Sequence, residues 1–167
     1  MQCSNIQKQK LNTMLKTCEF KISGKPMGKG RPRFTRSGHT YTPKDTVEYE
    51  NRIQRAAWAS MQRSQLTKTT NRVSLIFTAY FEIPKSYTKK KRMLCETGNL
   101  IPKRPDIDNI AKAIMDACNR TVFEDDAQIW HLSCFKRYCD VGQLPHVHVK
   151  VQWDEQQENQ SANFIKL

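Results

Sequence analysis

Six apolar residues occupy every second position between residues 73 and 83, and this alternation constrains the fold more than any other feature of the sequence. They are Val73, Leu75, Phe77, Ala79, Phe81 and Ile83. Because successive side chains of a β-strand point to opposite faces, the pattern predicts a strand with one apolar face. Pro84 should end it, since proline cannot donate a backbone hydrogen bond to a neighbouring strand.

Two further segments have the spacing of amphipathic helices. Residues 46–62 contain neither Gly nor Pro and place Ile53, Ala57 and Met61 on one face, which predicts a helix. A second helix is predicted from about residue 107 to residue 119, where apolar residues recur at helical spacing.

The remaining segments predict a single α+β domain with polar ends. Shorter strands are expected near residues 20–22, 128–136 and 146–153, so the sheet of this mixed α/β fold should be antiparallel or mixed. The folded domain is expected to span residues 18–153. The polar ends are interpreted as an N-terminal tail over residues 1–17 and a C-terminal tail over residues 154–167.

Two basic stretches are interpreted as loops. Residues 25–44 are rich in Gly and Pro, with a short hairpin through Phe34 and Tyr41, and residues 84–104 form a second, longer loop. The three tryptophans lie in periodic segments and are therefore predicted to be in the core. They are Trp58, Trp130 and Trp153.

Length and composition predict one folded domain. The chain has 167 residues, of which 38% are hydrophobic and 26% charged, as in ordinary globular proteins. No apolar run approaches the ~20 residues that span a bilayer, and the first residues lack the apolar segment of a secretory signal. We expect a cytoplasmic protein without a membrane partner.

The cysteines do not indicate a metal site. None of the six forms a CxxC pair, and the spacing of Cys134 with Cys139 or of His146 with His148 matches zinc motifs poorly. Reduced, structural cysteines are the favoured interpretation.

The positive charge is unevenly distributed. Residues 1–105 carry 22 Lys and Arg against 6 Asp and Glu, a balance of +16, whereas residues 106–167 carry 6 against 10, a balance of −4. A strongly basic region attracts polyanions and binds phosphates in a salt-sensitive way. With no amphipathic basic helix or apolar anchor, nucleic acid is favoured over an anionic membrane or an acidic partner.

The acidic residues cluster in one segment. Asp106 and Asp108 lie at the start of the second helix, where either could cap it, and the run Glu124-Asp125-Asp126 follows after a turn. We expect that turn to bring the acidic run back beside Asp106 and Asp108. Converging carboxylates repel each other unless a cation lies between them, and their hard oxygen ligands suit Mg²⁺ or Mn²⁺.

Asp108, Lys112 and Asp116 form one polar row along the second helix. Considered alone, the row is typical of a salt-bridged helix surface, in which each pair stabilises the helix by ~0.2–0.5 kcal/mol. The neighbouring acidic residues make a functional role the alternative.

The pattern P-D-x-D-N-x-x-K-x-x-x-D-A, followed by D-D-x-Q-[IV], resembles the RusA family of Holliday junction resolvases. It is carried by Asp106, Asp108, Asn109, Lys112, Asp116, Ala117, Asp125, Asp126, Gln128 and Ile129. The stretches GKPMGKGRPRF and YTPKDT also resemble the opening of family members, and the likeness spans roughly residues 20–153. The long basic loop and the extended ends depart from compact members.

The resemblance implies a homodimeric endonuclease of mixed α/β fold that cuts branched DNA symmetrically with Mg²⁺. It assigns catalysis to Asp106, Asp108, Lys112 and Asp126. The metal ligands would be Asp106, Asp108 and Asp126, with Asp125 as a weaker candidate. Lys112 would face the scissile phosphate and stabilise the charge that develops there.

Basic residues on both sides of this segment are the candidates for DNA contact. They are Lys29, Arg31, Arg33, Arg36, Lys89, Lys90, Lys91 and Arg92. For a run such as KKKR, a solvated loop is the alternative. Phe34, Tyr41 and Tyr87 lie among these cations and could stack on bases at a branch point, although such aromatics are more often packed.

Three functions remain open from the sequence. The first is a resolvase acting on four-way junctions. The second is a nuclease for other branched DNA, such as flaps and forks. The third is a branched-DNA-binding protein without catalysis, which the intact set of carboxylates and lysine argues against.

Overall fold

The computed structural model describes residues 13–156. They form six strands, three α-helices and one 3-10 turn. In chain order these are β1 Thr13–Ser23, β2 Arg33–Phe34, β3 Thr40–Tyr41, α1 Lys44–Arg63, β4 Val73–Phe81, α2 Lys89–Glu96, α3 Ile107–Cys118, the 3-10 turn Asp126–Gln128, β5 Ile129–Tyr138 and β6 His146–Gln156.

A four-stranded mixed sheet forms the centre of the molecule. Its strand order is β1-β6-β4-β5, in which β4 and β5 run parallel and the other pairs run antiparallel. The hairpin of β2 and β3 is separate. This arrangement confirms the predicted α+β class and the mixed sheet.

One face of the sheet is covered by α1 and α3. The alternating residues of β4 are buried, as predicted, and so are Ile53, Ala57 and Met61 of α1. From α3, Ile110 and Ile114 are completely buried, and burying a side chain of this size contributes roughly 1.5–3 kcal/mol. The helix start that carries Asp106 and Asp108 is therefore fixed to the sheet through its apolar face.

The predicted loop over residues 84–104 is wrong in part, because it contains α2. Thr88 caps this helix by accepting a hydrogen bond from the Lys91 backbone N–H at 3.4 Å. The residues that follow include no Gly or Pro and favour helix. The run KKKR consequently lies in the first turn of a helix.

The outer strands are longer than predicted. β1 begins at Thr13, inside the segment expected to be a tail, and pairs with β6 as far as Gln156. Residues 13–17 and 154–156 thus belong to the sheet. Residues 1–12 and 157–167, the remainder of the two expected tails, lie outside the described part.

Two of the three tryptophans are not in the core. Trp153 is 2% exposed, as predicted, but Trp58 and Trp130 are 59% and 64% exposed. Trp58 follows the buried Ala57 and so falls on the solvent face of α1. Trp130 is the extra residue of a bulge at the start of β5, where the pairing register with β4 shifts.

None of the helices within residues 13–156 has the length and hydropathy needed to cross a membrane.

Candidate active site

The start of α3 holds two carboxylates at the surface. Asp106 occupies the N-cap position in an extended conformation (φ −67°, ψ 146°), but its side chain makes no capping hydrogen bond. The Asp106 carbonyl accepts the first helical hydrogen bond, from Ile110 N–H at 3.2 Å. Asp108 follows in the first turn and is exposed. Both carboxylates lie at the positive end of the helix dipole.

Lys112 is exposed one turn further along the same face. Within residues 13–156, no ion pair involves Asp106, Asp108 or Lys112. The row on α3 is therefore not a salt-bridged surface of i,i+4 pairs. Asp108 and Lys112 face solvent and can reach an external ligand, whereas Asp116, the third member of the row, pairs with Lys29.

Lys29 differs from the other predicted DNA contacts. Its Nζ lies 2.6 Å from a carboxylate oxygen of Glu50 on α1 and 2.8 Å from one of Asp116 on α3. Partial burial acts to lower the pKa of Lys29, but the hydrogen bonds to Asp116 and Glu50 outweigh it and raise the pKa above its ordinary value. The side chain ties α1 to α3, so its ammonium is not free in the way the sequence interpretation assumed.

The glycines beside Lys29 allow its loop to cross the two helices closely. A Cβ on Gly28 would lie 2.9 Å from the Asn109 Cβ and 3.1 Å from the Pro105 Cβ. A Cβ on Gly30 would lie 2.5 Å from the Thr46 Oγ1. The Lys29 backbone N–H donates to the Asn109 carbonyl at 2.8 Å. The loop thus packs directly against the residues that carry the two carboxylates.

Replacing Gly28 with alanine should disturb the start of α3. The Asn109 Cβ is bonded to helix backbone and cannot rotate away, so relief requires a backbone shift, and we expect Gly28→Ala to destabilise the protein by about 1–3 kcal/mol. Urea unfolding measures this loss, and ¹H–¹⁵N spectra should show shifted Asn109 and Ile110 amides. Gly38→Ala is the control for the spectra only: its new Cβ meets nothing within 4 Å, but a φ of +82° strains alanine there, so it should also lose stability while its shifted amides stay in the hairpin. An unchanged Asn109 amide in Gly28→Ala would contradict the close packing.

The second acidic group lies in the 3-10 turn before β5. Asp125 caps this turn, accepting a hydrogen bond from Ala127 N–H at 2.9 Å. The Gln128 side chain accepts from Glu124 and Asp125 N–H and donates to the Thr69 and Asn71 carbonyls, over distances of 2.7 to 3.1 Å. Asp125 thus has a structural role as the cap of the turn. Asp126, the next residue, is exposed.

The two acidic groups lie at opposite ends of α3. The Pro105 carbonyl accepts a hydrogen bond from Lys136, near the end of β5, whereas Asp126 precedes the first residue of β5. The 12 residues of α3 extend roughly 18 Å at 1.5 Å per residue. The prediction that Asp126 returns to Asp106 and Asp108 is therefore wrong for a single chain. Among residues 13–156, no three His, Cys, Asp or Glu are grouped to hold a metal ion.

The exposed cations form two groups, one at the β2–β3 hairpin and one on α2. Arg31, Arg33 and Arg36 are exposed in or beside the β2–β3 hairpin. Lys89, Lys90 and Lys91 are exposed on α2, and Arg92 is half-buried.

The aromatic residues near these cations differ in their exposure. Phe34 is 75% and Tyr41 45% exposed in the hairpin. Tyr87 is packed, with the Lys91 Nζ 3.7 Å above its ring and Tyr138 against it in a T-shaped contact. The hairpin therefore offers two free rings, and Tyr87 offers none.

Sequence reasoning missed Lys136. Its Nζ donates to the Lys103 and Pro105 carbonyls, both at 3.0 Å. The signal was available, since Lys136 lies midway between Cys134 and Tyr138, which pack against the core. A cation at such a position of a strand requires partners on the buried side.

Exposed carboxylates beside a lysine, flanked by cations, can carry out hydrolytic chemistry on a phosphate ester. Residues 23–152 match the family model described as Endodeoxyribonuclease RusA. The uncharacterized protein YqaN of Bacillus subtilis (strain 168) is 33% identical over 137 residues, which cover 80% of this chain and 94% of that protein.

The chain therefore belongs to the RusA endodeoxyribonuclease family. The family comprises hydrolases that act on branched DNA junctions and generally depend on a divalent metal ion.

Proposed function

We propose that this protein is a Mg²⁺-dependent homodimeric endonuclease that resolves Holliday junctions by symmetric phosphodiester hydrolysis in DNA recombination and repair. The observation that carries the proposal is the exposed face of α3, where Asp106, Asp108 and Lys112 follow one another without protein ion-pair partners among the described residues. These are the positions that match the motif of the family.

The donor atoms of this face fit Mg²⁺ or Mn²⁺. Carboxylate oxygens are the ligands that these hard cations prefer, and those of Asp106 and Asp108 are exposed. When bound, the ion would supply an activated water and neutralise charge on the phosphate. Asp106 and Asp108 of one copy would hold it together with Asp126 of a second copy, while the capping role of Asp125 makes that residue a lesser ligand.

Lys112 has a separate role in the proposal. Its ammonium lies one helical turn beyond Asp108 and is free of ion pairs within residues 13–156. A fixed cation beside the scissile phosphate stabilises the negative charge that grows in the transition state.

The edge position of β5 in the sheet of residues 13–156 supports a homodimer. β5 is an edge strand of the sheet, and its Trp130, Leu132 and Phe135 are 64%, 44% and 48% exposed. Natural proteins usually cover a long apolar edge strand, because its unpaired backbone groups promote association. A second copy of the chain would cover this one.

Two-fold symmetry would also complete the acidic site. In a dimer with antiparallel β5 strands, the start of one strand lies beside the end of the other. Asp126 would then approach Asp106 and Asp108 of the partner subunit, since these lie near the end of β5 marked by Lys136. Such a dimer has two equivalent sites, which suits two symmetric cuts.

The charge distribution supports a DNA substrate. Lys89, Lys90 and Lys91 occupy the first turn of α2, where the helix dipole makes cations unfavourable for the helix itself. An anionic phosphate backbone would relieve this repulsion. Arg31, Arg33 and Arg36 would hold a second arm, with Phe34 and Tyr41 free to stack at the branch point.

Cleavage of defined DNAs tests the proposal. The purified protein should nick a four-way junction in paired, symmetry-related positions with Mg²⁺, and should leave it intact with EDTA. A flap, a fork and a linear duplex of the same sequence serve as controls. Faster cutting of flaps or forks would indicate the wider branched-DNA nuclease. Binding without cutting in either Mg²⁺ or Mn²⁺ would contradict the proposed activity.

A further inference from the structure

Lys136 holds the backbone that leads into Asp106. Its Nζ donates hydrogen bonds to the carbonyl groups of Lys103 and Pro105, each at 3.0 Å. Pro105 directly precedes Asp106, the N-cap of α3. A charged donor forms stronger hydrogen bonds than a neutral one, so this segment is anchored to β5 close to the carboxylate pair.

The position of Lys136 in its strand is unusual for a lysine. Cys134 and Tyr138, two residues before and after it, pack against the core, and alternation places Lys136 on the same, helix-facing side of the sheet. No ion pair within residues 13–156 involves Lys136. Its Nζ donates to two backbone oxygens, and both lie within three residues of Asp106.

The start of α3 is held from two sides, by the hydrogen bonds of Lys136 and by the loop that contains Gly28 and Lys29. The loop packs against Asn109 and Pro105 and donates to the Asn109 carbonyl at 2.8 Å. The buried face of α3 begins at Ile110, four residues after Asp106. The two Lys136 hydrogen bonds restrain the chain before that point, at Lys103 and Pro105.

We propose that Lys136 is a positioning residue that sets the orientation of the Asp106 and Asp108 carboxylates through the Lys103 and Pro105 carbonyls. The inference rests on the proposed function for its catalytic consequence. Its structural consequence, the order of the first turn of α3, can be measured without any DNA or metal.

Lys136→Met tests the proposal by removing the ammonium while keeping the length of the side chain. The Ile110 amide, which donates to the Asp106 carbonyl, should exchange with solvent deuterium roughly 10-fold faster or more, because the first turn opens locally. Single-turnover cleavage of a four-way junction should slow by roughly 10- to 100-fold, since small displacements of catalytic groups have effects of this size. The dissociation constant for the junction should stay within about 2-fold of the wild-type value.

Two further variants separate positioning from general stability. Lys136→Arg keeps a cationic donor and should retain most of the cleavage rate and the slow exchange at Ile110. Lys150→Met removes a lysine from β6, where it pairs with Glu19, and should change neither quantity.

The outcomes are distinguishable. Unchanged Ile110 exchange in Lys136→Met, or equally faster exchange throughout β4, would overturn the positioning role. Equal losses in the Arg and Met variants would overturn it too, because the hydrogen bonds would then not be the cause. If wild-type protein cuts no branched DNA, the proposed function fails, and the exchange at Ile110 still decides the role of Lys136.

Discussion

Co-expressed Asp108→Asn and Asp126→Asn chains should recover cleavage that neither variant has alone. In the proposed dimer, each site takes Asp106 and Asp108 from one protomer and Asp126 from the other. A mixed dimer then has one site with both substitutions and one site with none. With random pairing, half of the dimers are mixed, so about one quarter of the wild-type number of sites should be intact. Quantified nicking of a four-way junction measures this fraction.

Co-expressed Asp106→Asn and Asp108→Asn chains provide the matched control. Both substitutions fall on the half of the site that comes from the same protomer. Every site of every dimer therefore contains either Asp106→Asn or Asp108→Asn, and no activity should return. The mixed dimers of the first experiment should nick one strand rather than cut both. Recovery in neither mixture would mean that the carboxylates do not combine across a dimer, and recovery in both would exclude the proposed pairing.

Asp108→Asn alone should abolish cutting while leaving junction binding intact. The amide is isosteric but neutral, and it is a much poorer ligand for Mg²⁺ than a carboxylate. Changes next to metal ligands already cost 10- to 100-fold, so we expect the loss of a ligand to reduce the cleavage rate by at least about 100-fold. Removing a negative charge that faces DNA should leave binding unchanged or slightly tighter. Single-turnover cleavage and a metal-free binding titration measure the two effects.

Asp45→Asn is the control for this variant. Asp45 is also an acidic residue in the first helical turn, that of α1, so each substitution loses a similar dipole interaction of ~0.3–1 kcal/mol. Matching unfolding curves with cleavage lost only in Asp108→Asn would assign the effect to the site. Wild-type cleavage by Asp108→Asn would refute the metal-ligand assignment.

The sequence predicted the elements whose burial is periodic. The structure confirmed the alternation from Val73 to Phe81 and the i+4 row of Ile53, Ala57 and Met61. Both were predictable because an element that buries one face needs apolar residues at regular intervals in the sequence. The first two turns of α3, with Asp108 and Lys112 exposed, followed from the same periodicity.

What the sequence did not predict depends on how elements are arranged in space. Asp126 was expected beside Asp106, but β5 pairs parallel with β4 and runs back along the sheet from the far end of α3. Lys29 looked like a free cation because its partners, Glu50 and Asp116, lie on two other elements. The strand pattern places Lys136 on the inner face, but it does not show which backbone oxygens the ammonium binds.

The separation of Asp106 from Asp126 by the length of α3 also makes the proposed activity depend on protein concentration. In the proposed dimer, a lone protomer would hold only part of each site, so cleavage would require two chains. At concentrations well below the dimer dissociation constant, the number of competent centres falls with the square of the protomer concentration, by mass action. A junction that gathers two chains would raise their local concentration and so switch on the nuclease where two paired cuts are required.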